Sequence, residues 1–154
     1  AACEILHAQK DRIYQPFTLV FANEDGAWAA HNGAAGITLE QLGAGLHVFS
    51  NAAEIDAGSE KITRAYRQFA AVVDSSGGRR QPPANAALAQ VLGDHKTNGT
   101  HGPNDAICVH GSISGTVSSS IIRYSRAARE FQHFYSAGAP CQHAFALQSS
   151  LPVQ

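Results

Sequence analysis

Residues 107–126 read ICVHGSISGTVSSSIIRYSR, and how this stretch is parsed decides the fold. It is rich in β-branched residues, carries many hydroxyls, and is interrupted by Gly111 and Gly115. The segment GSISG mimics the GxSxG elbow of a serine nucleophile, but its central residue is Ile113, with Ser112 and Ser114 on either side. An elbow also joins a strand to a helix, whereas this segment leads into the β-branched run TVSSSIIRY. The parse is therefore two neighbouring strands with a bend or bulge at the glycines. From Thr116 on, alternation puts Val117, Ser119, Ile121 and Arg123 on one face and Thr116, Ser118, Ser120, Ile122 and Tyr124 on the other. Neither face is wholly apolar at its start, which predicts a sheet edge or a pocket mouth for the Ser-rich end.

Outward from this core, strand-like runs are expected at residues 106–112, 116–124 and 130–137. Upstream, FTLVFANEDGAWAAH (residues 17–31) predicts a hairpin, because two apolar runs flank a turn in which Asp25-Gly26 supplies the positive-φ chemistry. A Gly-rich passage follows, then GLHVFSNA (residues 45–52) as a third short strand ending at a polar turn. Ile62, Tyr66, Phe69 and Val73 recur at helical spacing, with Ser59 as N-cap. The Pro82-Pro83 pair opens a second helix over residues 84–92, stopped at Gly93. Residues 74–83 and 93–105 are expected as exposed loops, and the last dozen residues lack periodicity. Strands, then two helices, then strands again indicate an α+β chain with mainly antiparallel sheets, read as one domain over residues 1–154 or the C-terminal part of one.

Composition narrows the function classes. The formal net charge is -1 and only 15% of residues are charged, so no electrostatic footprint for nucleic acid is present. No apolar run approaches a transmembrane helix, so no membrane insertion is expected. Three cysteines without a CxxC pair argue against a disulfide scaffold and for a reducing, cytoplasmic compartment. The chain contains no Met and its first residues read as the tail of a helix, so it is expected to be part of something larger.

Three sets of residues carry candidate chemistry. His95, His101 and His110 are the nearest approach to a histidine cluster, but their spacing matches no standard zinc site, so solvated loop histidines are expected and no metal. Cys108 with His110, and Cys141 with His143, each place a thiol two residues before an imidazole, set against the commoner reading of buried structural thiols. Ser50-Asn51, at the end of HVFSN, puts a carboxamide where it can donate to a developing oxyanion, although an ordinary Asn turn has the same signature.

GLHVFSNAAEID, followed by a Lys-bearing helix, resembles the GLSNA-centred segment of the NRDE family, also called the transport and Golgi organisation protein 2 family. HGSISGTVSSSII is similar to that family's YGTRSSTVLLV, with Gly111, Ser114, Thr116 and Val117 matching and Ser112 in place of Thr. PFTLVFANEDGAWAAHNG and YSAGAPCQHAF resemble two further family segments, and the four fall in family order over most of the chain.

The resemblance implies the C-terminal part of an N-terminal-nucleophile (Ntn) hydrolase-like αββα sandwich, acting on a small molecule by hydrolysis of a linear amide C–N bond. No cofactor is implied. The Cys nucleophile, with its own α-amine as base, would come from a missing N-terminal segment or a second chain. Asn51, serving the oxyanion hole, and Ser114 and Thr116, as walls beside it, would be the catalytic residues, and Ser50, His47, His110 and Ser112 would line the pocket. The alternative on the same fold is a non-enzymatic trafficking or binding factor for a small apolar ligand such as haem, with His47, His110 or Cys108 on the ligand side. The sequence departs from the family at its opening Met-Cys and its Asn-Arg-Asp-Glu signature, both absent here, and at Ile113, where the family has Arg.

Overall fold

The computed structural model describes residues 4–5, 8, 17–33, 36–49, 60–77, 81–97 and 105–153. The chain divides into two units, Ala1–Ile62 and Thr63–Gln154. Among the described residues the architecture is α+β, with two antiparallel three-stranded sheets and two helices.

The first unit holds β1 (Phe17–Ala22), β2 (Ala27–Gly33) and β3 (Gly36–Leu42), in that spatial order. The β1–β2 hairpin forms where the alternation predicts it, and Phe21 lies directly opposite Trp28 with the rings stacked 5.9 Å apart. Its turn closes by other chemistry than expected. Gly26 does not adopt positive φ; instead the Asn23 carboxamide oxygen accepts the N–H groups of Asp25 and Gly26, both at 3.0 Å. The central strand buries Ala29, Ala30 and His31, and the Thr18 hydroxyl meets the His31 ring at Nδ1, 2.9 Å away.

The third strand of this sheet corrects the expectation. It is ITLEQL within Gly36–Leu42, paired with β2 from Gly36 to Leu42, and not the later GLHVFSNA run. Glycine at position 36 supplies the φ of 101° from which β3 starts, so a Gly that reads as a loop marker is the turn residue of a strand pair. Residues 46–49 are not in a strand. Ser50, Asn51, Ser59, His101 and Cys3 lie outside the described residues.

Helix α1 (Glu60–Ser75) forms where the period predicts it and buries Ile62 and Ala65, but of the expected apolar stripe Tyr66 is exposed and Phe69 and Val73 are half-buried. Helix α2 (Asn85–Leu92) follows the two prolines; its N-cap, Ala84, provides no side-chain cap, and its C-cap is Gly93. In the second unit β4 (Ser119–Ser125), β5 (Glu130–Ser136) and β6 (Ala146–Pro152) form the sheet in sequence order, so the Ser-rich strand β4 lies at an edge. β6 is a second correction, since its residues show no alternation. Only Ser149 is even half-buried, and a strand exposed on both faces has no hydrophobic period to read. Residues 106–112 are a third: they form no strand, only an isolated bridge between His110 and Gly115. The Arg123 guanidinium donates to Asn85 Oδ1 at 2.6 Å and to the Pro83 carbonyl, joining one face of β4 to the start of α2. Among the described residues no helix is long and apolar enough to cross a membrane.

Candidate functional site

The densest set of reactive side chains lies in the second unit, where three segments distant in sequence meet. The first is the exit from α2. Gly93 donates its N–H to Ala89 O at 2.8 Å and stops the helix, and Asp94 and His95 follow. The second is the segment of Cys108 and His110, tied to the first by the Cys108 N–H, which donates to Asp94 O at 2.9 Å. The third is the turn at Cys141, in which Gln142 and His143 both donate to Ala139 O, at 2.9 and 3.0 Å.

Each segment is held by backbone geometry. A Cβ on Gly93 would stand 3.3 Å from both the Cα and the N of Cys141, tighter than most real contacts, so glycine lets the helix end approach the cysteine turn. The turn itself is anchored by Ser136, fully buried, whose hydroxyl donates toward the carbonyls of Gly138 and His143 at 3.1 and 3.0 Å. The segment before β4 is a tight reversal. Gly111 N–H donates to Ser114 O at 3.0 Å and Thr116 N–H to Val109 O at 2.9 Å. A Cβ on Gly111 would come within 2.6 Å of the Ser114 carbonyl oxygen, so this position admits only glycine without a backbone shift.

The cluster follows from this scaffold. Cys108 Sγ lies 3.6 Å from His110 Nε2 and 3.7 Å from Cys141 Sγ, while His110 Nε2 and Cys141 Sγ are 3.0 Å apart. The His95 ring meets the His110 ring edge-on, with centroids 5.8 Å apart. One ligand atom each from His95, His110 and Cys141 lie within 4.8 Å of one another. Cys108 is fully buried, and the other three are exposed, so the cluster is open to solvent on one side. Both cysteines are free thiols.

Burial pushes the Cys108 thiol pKa up, and the hydrogen bond with the neighbouring Cys141 thiol adds to that. Two donors act in the opposite sense, the Cys141 N–H and the Thr116 hydroxyl, each of which favours the thiolate. The Thr116 oxygen meanwhile accepts the Val109 N–H at 2.9 Å, so this hydroxyl relays between backbone and sulfur. Asp94 holds the other flank. Burial raises its pKa, but the hydrogen bonds from Gln68 Nε2 (2.5 Å) and Lys96 N–H (3.0 Å), with the charges of Arg64 and Lys96, outweigh burial and keep the carboxyl below its ordinary value.

The residues singled out from sequence are distributed unevenly around this cluster. His110 is part of it, and Thr116 supports it from behind. Ser112 and Ser114 sit exposed on the 111–115 reversal, beside a fully exposed Ile113. His47, in the first unit, hydrogen-bonds the Gly43 carbonyl through Nε2 at 3.0 Å. Asn51 and Ser50 fall outside the described residues.

The sequence groups each cysteine with its nearest histidine, and His95 with His101 and His110, of which His95 and His110 do meet. The folded chain instead groups Cys108, His110 and Cys141 with His95, and the His143 ring packs against Gly138, where a Cβ would stand 2.2 Å from its Cδ2. Two Cys-x-His repeats in one short chain were the available signal. In comparisons with known proteins, no family model, no curated protein and no solved structure matches this chain.

Proposed function

We propose that the chain is the C-terminal part of an Ntn-hydrolase-like protein of the NRDE type that cleaves a linear amide C–N bond in a small-molecule substrate. The observation that carries this reading is the two-faced second sheet. One face is joined to α2 through Arg123, as an outer helix layer requires. The opposite face presents Ile122, Tyr124, Phe131, Tyr135 and Leu151 around a His133–Ser120 hydrogen bond of 2.9 Å, with Ile122 67% and Leu151 62% exposed. A sheet with a helix on one side and apolar side chains on the other is half of an αββα sandwich. Two of the four segments that carry the family resemblance fall on β1–β2 and on the run into β4.

In this reading the Cys nucleophile belongs to a preceding segment or a second chain, and Asn51 donates to the oxyanion. A reducing compartment such as the cytoplasm suits it, since it keeps Cys108 and Cys141 as thiols. The test is turnover of a panel of linear amides by the protein with its Cys-bearing segment present. Asn51→Ala lowers kcat by roughly 100-fold if the carboxamide stabilises the oxyanion. Unchanged turnover removes Asn51 from the mechanism, and no hydrolysis of any amide overturns the reading.

A second reading is favoured by the convergence of Cys108 and His110, 3.6 Å apart: a non-enzymatic carrier of haem or a similar apolar ligand. A haem titration followed in the Soret region separates the two, because a shift lost in His110→Ala supports the carrier and no shift rejects it.

A further inference from the structure

We propose that Cys108, His110, Cys141 and His95 form a tetrahedral site for a zinc-type cation, a soft or borderline d10 ion held by two thiolates and two imidazoles. The proposal does not depend on the hydrolase reading, since it concerns side chains of this unit alone.

The spacing of the side chains is the first argument. In a tetrahedral site with ordinary zinc bond lengths, two sulfurs stand about 3.8 Å apart, and a sulfur and an imidazole nitrogen about 3.5 Å. The Cys108–Cys141 separation is 3.7 Å and the Cys108–His110 separation is 3.6 Å. Two edges of a coordination tetrahedron are therefore already set, one of them between cysteines 33 residues apart in sequence. The third, His110 to Cys141 at 3.0 Å, is short, and the exposed Cys141 on its turn is the group that moves outward to admit a cation. His95, at the α2 exit, offers a ring nitrogen within 4.8 Å of the ligand atoms of His110 and Cys141, and closing in toward Cys108 on binding would complete the four.

The surroundings are the second argument. Metal-bound thiolates are supported by N–H and O–H donors, and such outer partners tune affinity. Thr116, whose oxygen accepts the Val109 N–H at 2.9 Å, is fixed beside the residue that follows Cys108, the one buried thiol of the cluster. Buried polar support beneath and solvent access above is the layout of a site that a hydrated ion reaches and enters. The donor set itself selects the ion: thiolates with imidazoles favour Zn(II) or Cu(I) over magnesium or calcium, which take oxygen. Binding converts two thiols to thiolates and releases their two protons to solvent.

The test is a Co(II) titration of the reduced, chelator-treated protein without oxygen. The expected result is one Co(II) per chain, with thiolate-to-cobalt charge-transfer absorption and the intense visible bands of tetrahedral Co(II), all bleached by an equivalent of Zn(II). Cys141→Ser loses much of the charge-transfer absorption, and His95→Ala and His110→Ala each weaken binding at least tenfold. Thr116→Val, which leaves the four ligands in place, weakens it by roughly 10–100-fold. His143→Ala leaves the spectrum unchanged. Because His95, His110 and Cys141 are exposed, these variants are expected to fold, and circular dichroism verifies that they do. Absence of tetrahedral bands in the wild-type protein overturns the proposal, as does charge-transfer absorption that is undiminished in Cys141→Ser or bands that disappear in His143→Ala.

Discussion

Cys108 and Cys141, 33 residues apart in the chain, hold their sulfur atoms 3.7 Å apart with His110 Nε2 in contact with both. The first sulfur is buried and the second exposed, so reagents reach the pair from one side only.

That arrangement predicts selective oxidation. Closing the pair to a disulfide needs an approach of about 1.7 Å, within reach of a side-chain rotation in an exposed turn. Treated with diamide, which takes up the two hydrogens, the protein is expected to fall from its three titratable thiols to one under denaturing conditions. Cys141→Ser prevents this loss. Prior addition of Zn(II) protects both thiols, and equal oxidation with and without the ion contradicts shared use of the two sulfurs.

Gly93 predicts a stability cost at the same place. In Gly93→Ala the new methyl meets Ala89 O at 3.2 Å and the Cys141 backbone at 3.3 Å. Neither is a flexible side-chain tip, so the helix end and the cysteine turn are forced apart at about 1–3 kcal/mol. Thermal unfolding is expected several degrees lower, with slower diamide cross-linking of Cys108 to Cys141. A variant that melts with the wild type and cross-links as fast refutes the close approach.

Asp94 predicts the acid limb of the stability profile. Its carboxyl titrates below the ordinary value of 3.8 because the Gln68 and Lys96 hydrogen bonds and the Arg64 charge outweigh its burial. A carboxylate with a depressed folded-state pKa adds stability that is complete above the unfolded-state value and is lost as pH falls through the folded one. Melting temperature is therefore expected to drop below about pH 4, and Asp94→Asn to flatten that drop while costing about 1–3 kcal/mol at neutral pH. The cost arises because the Arg64 side chain, 17% exposed, loses its ion-pair partner, and Arg64 Nε has no hydrogen bond of its own among the described residues. An unchanged acid slope in Asp94→Asn shows that other carboxylates set it.

The αββα expectation meets a structure whose secondary elements were largely readable and whose site was not. Apolar periodicity and the turn and capping residues were sufficient to place the β1–β2 hairpin, α1, α2, β4 and β5, because each is a local pattern, although the hairpin turn closes through Asn23. Gly36 and the unpatterned ALQSSLP hid β3 and β6. In the first case a glycine serves a turn as readily as a loop, and in the second an outer strand with both faces exposed carries no period. GSISG, with Ile113 at its centre, is no serine elbow but a tight reversal ahead of β4.

The sequence by itself determined the alternation of strands and helices and the presence of two Cys-x-His pairs. Only the tertiary structure decided which cysteine meets which histidine. That choice depends on the Cys108 N–H bond to Asp94 O, on the bare Gly93 against the Cys141 backbone, and on Ser136 fastening the turn. These are contacts between segments far apart in the chain, set by backbone hydrogen bonding and close packing, and no local spacing of residues encodes them.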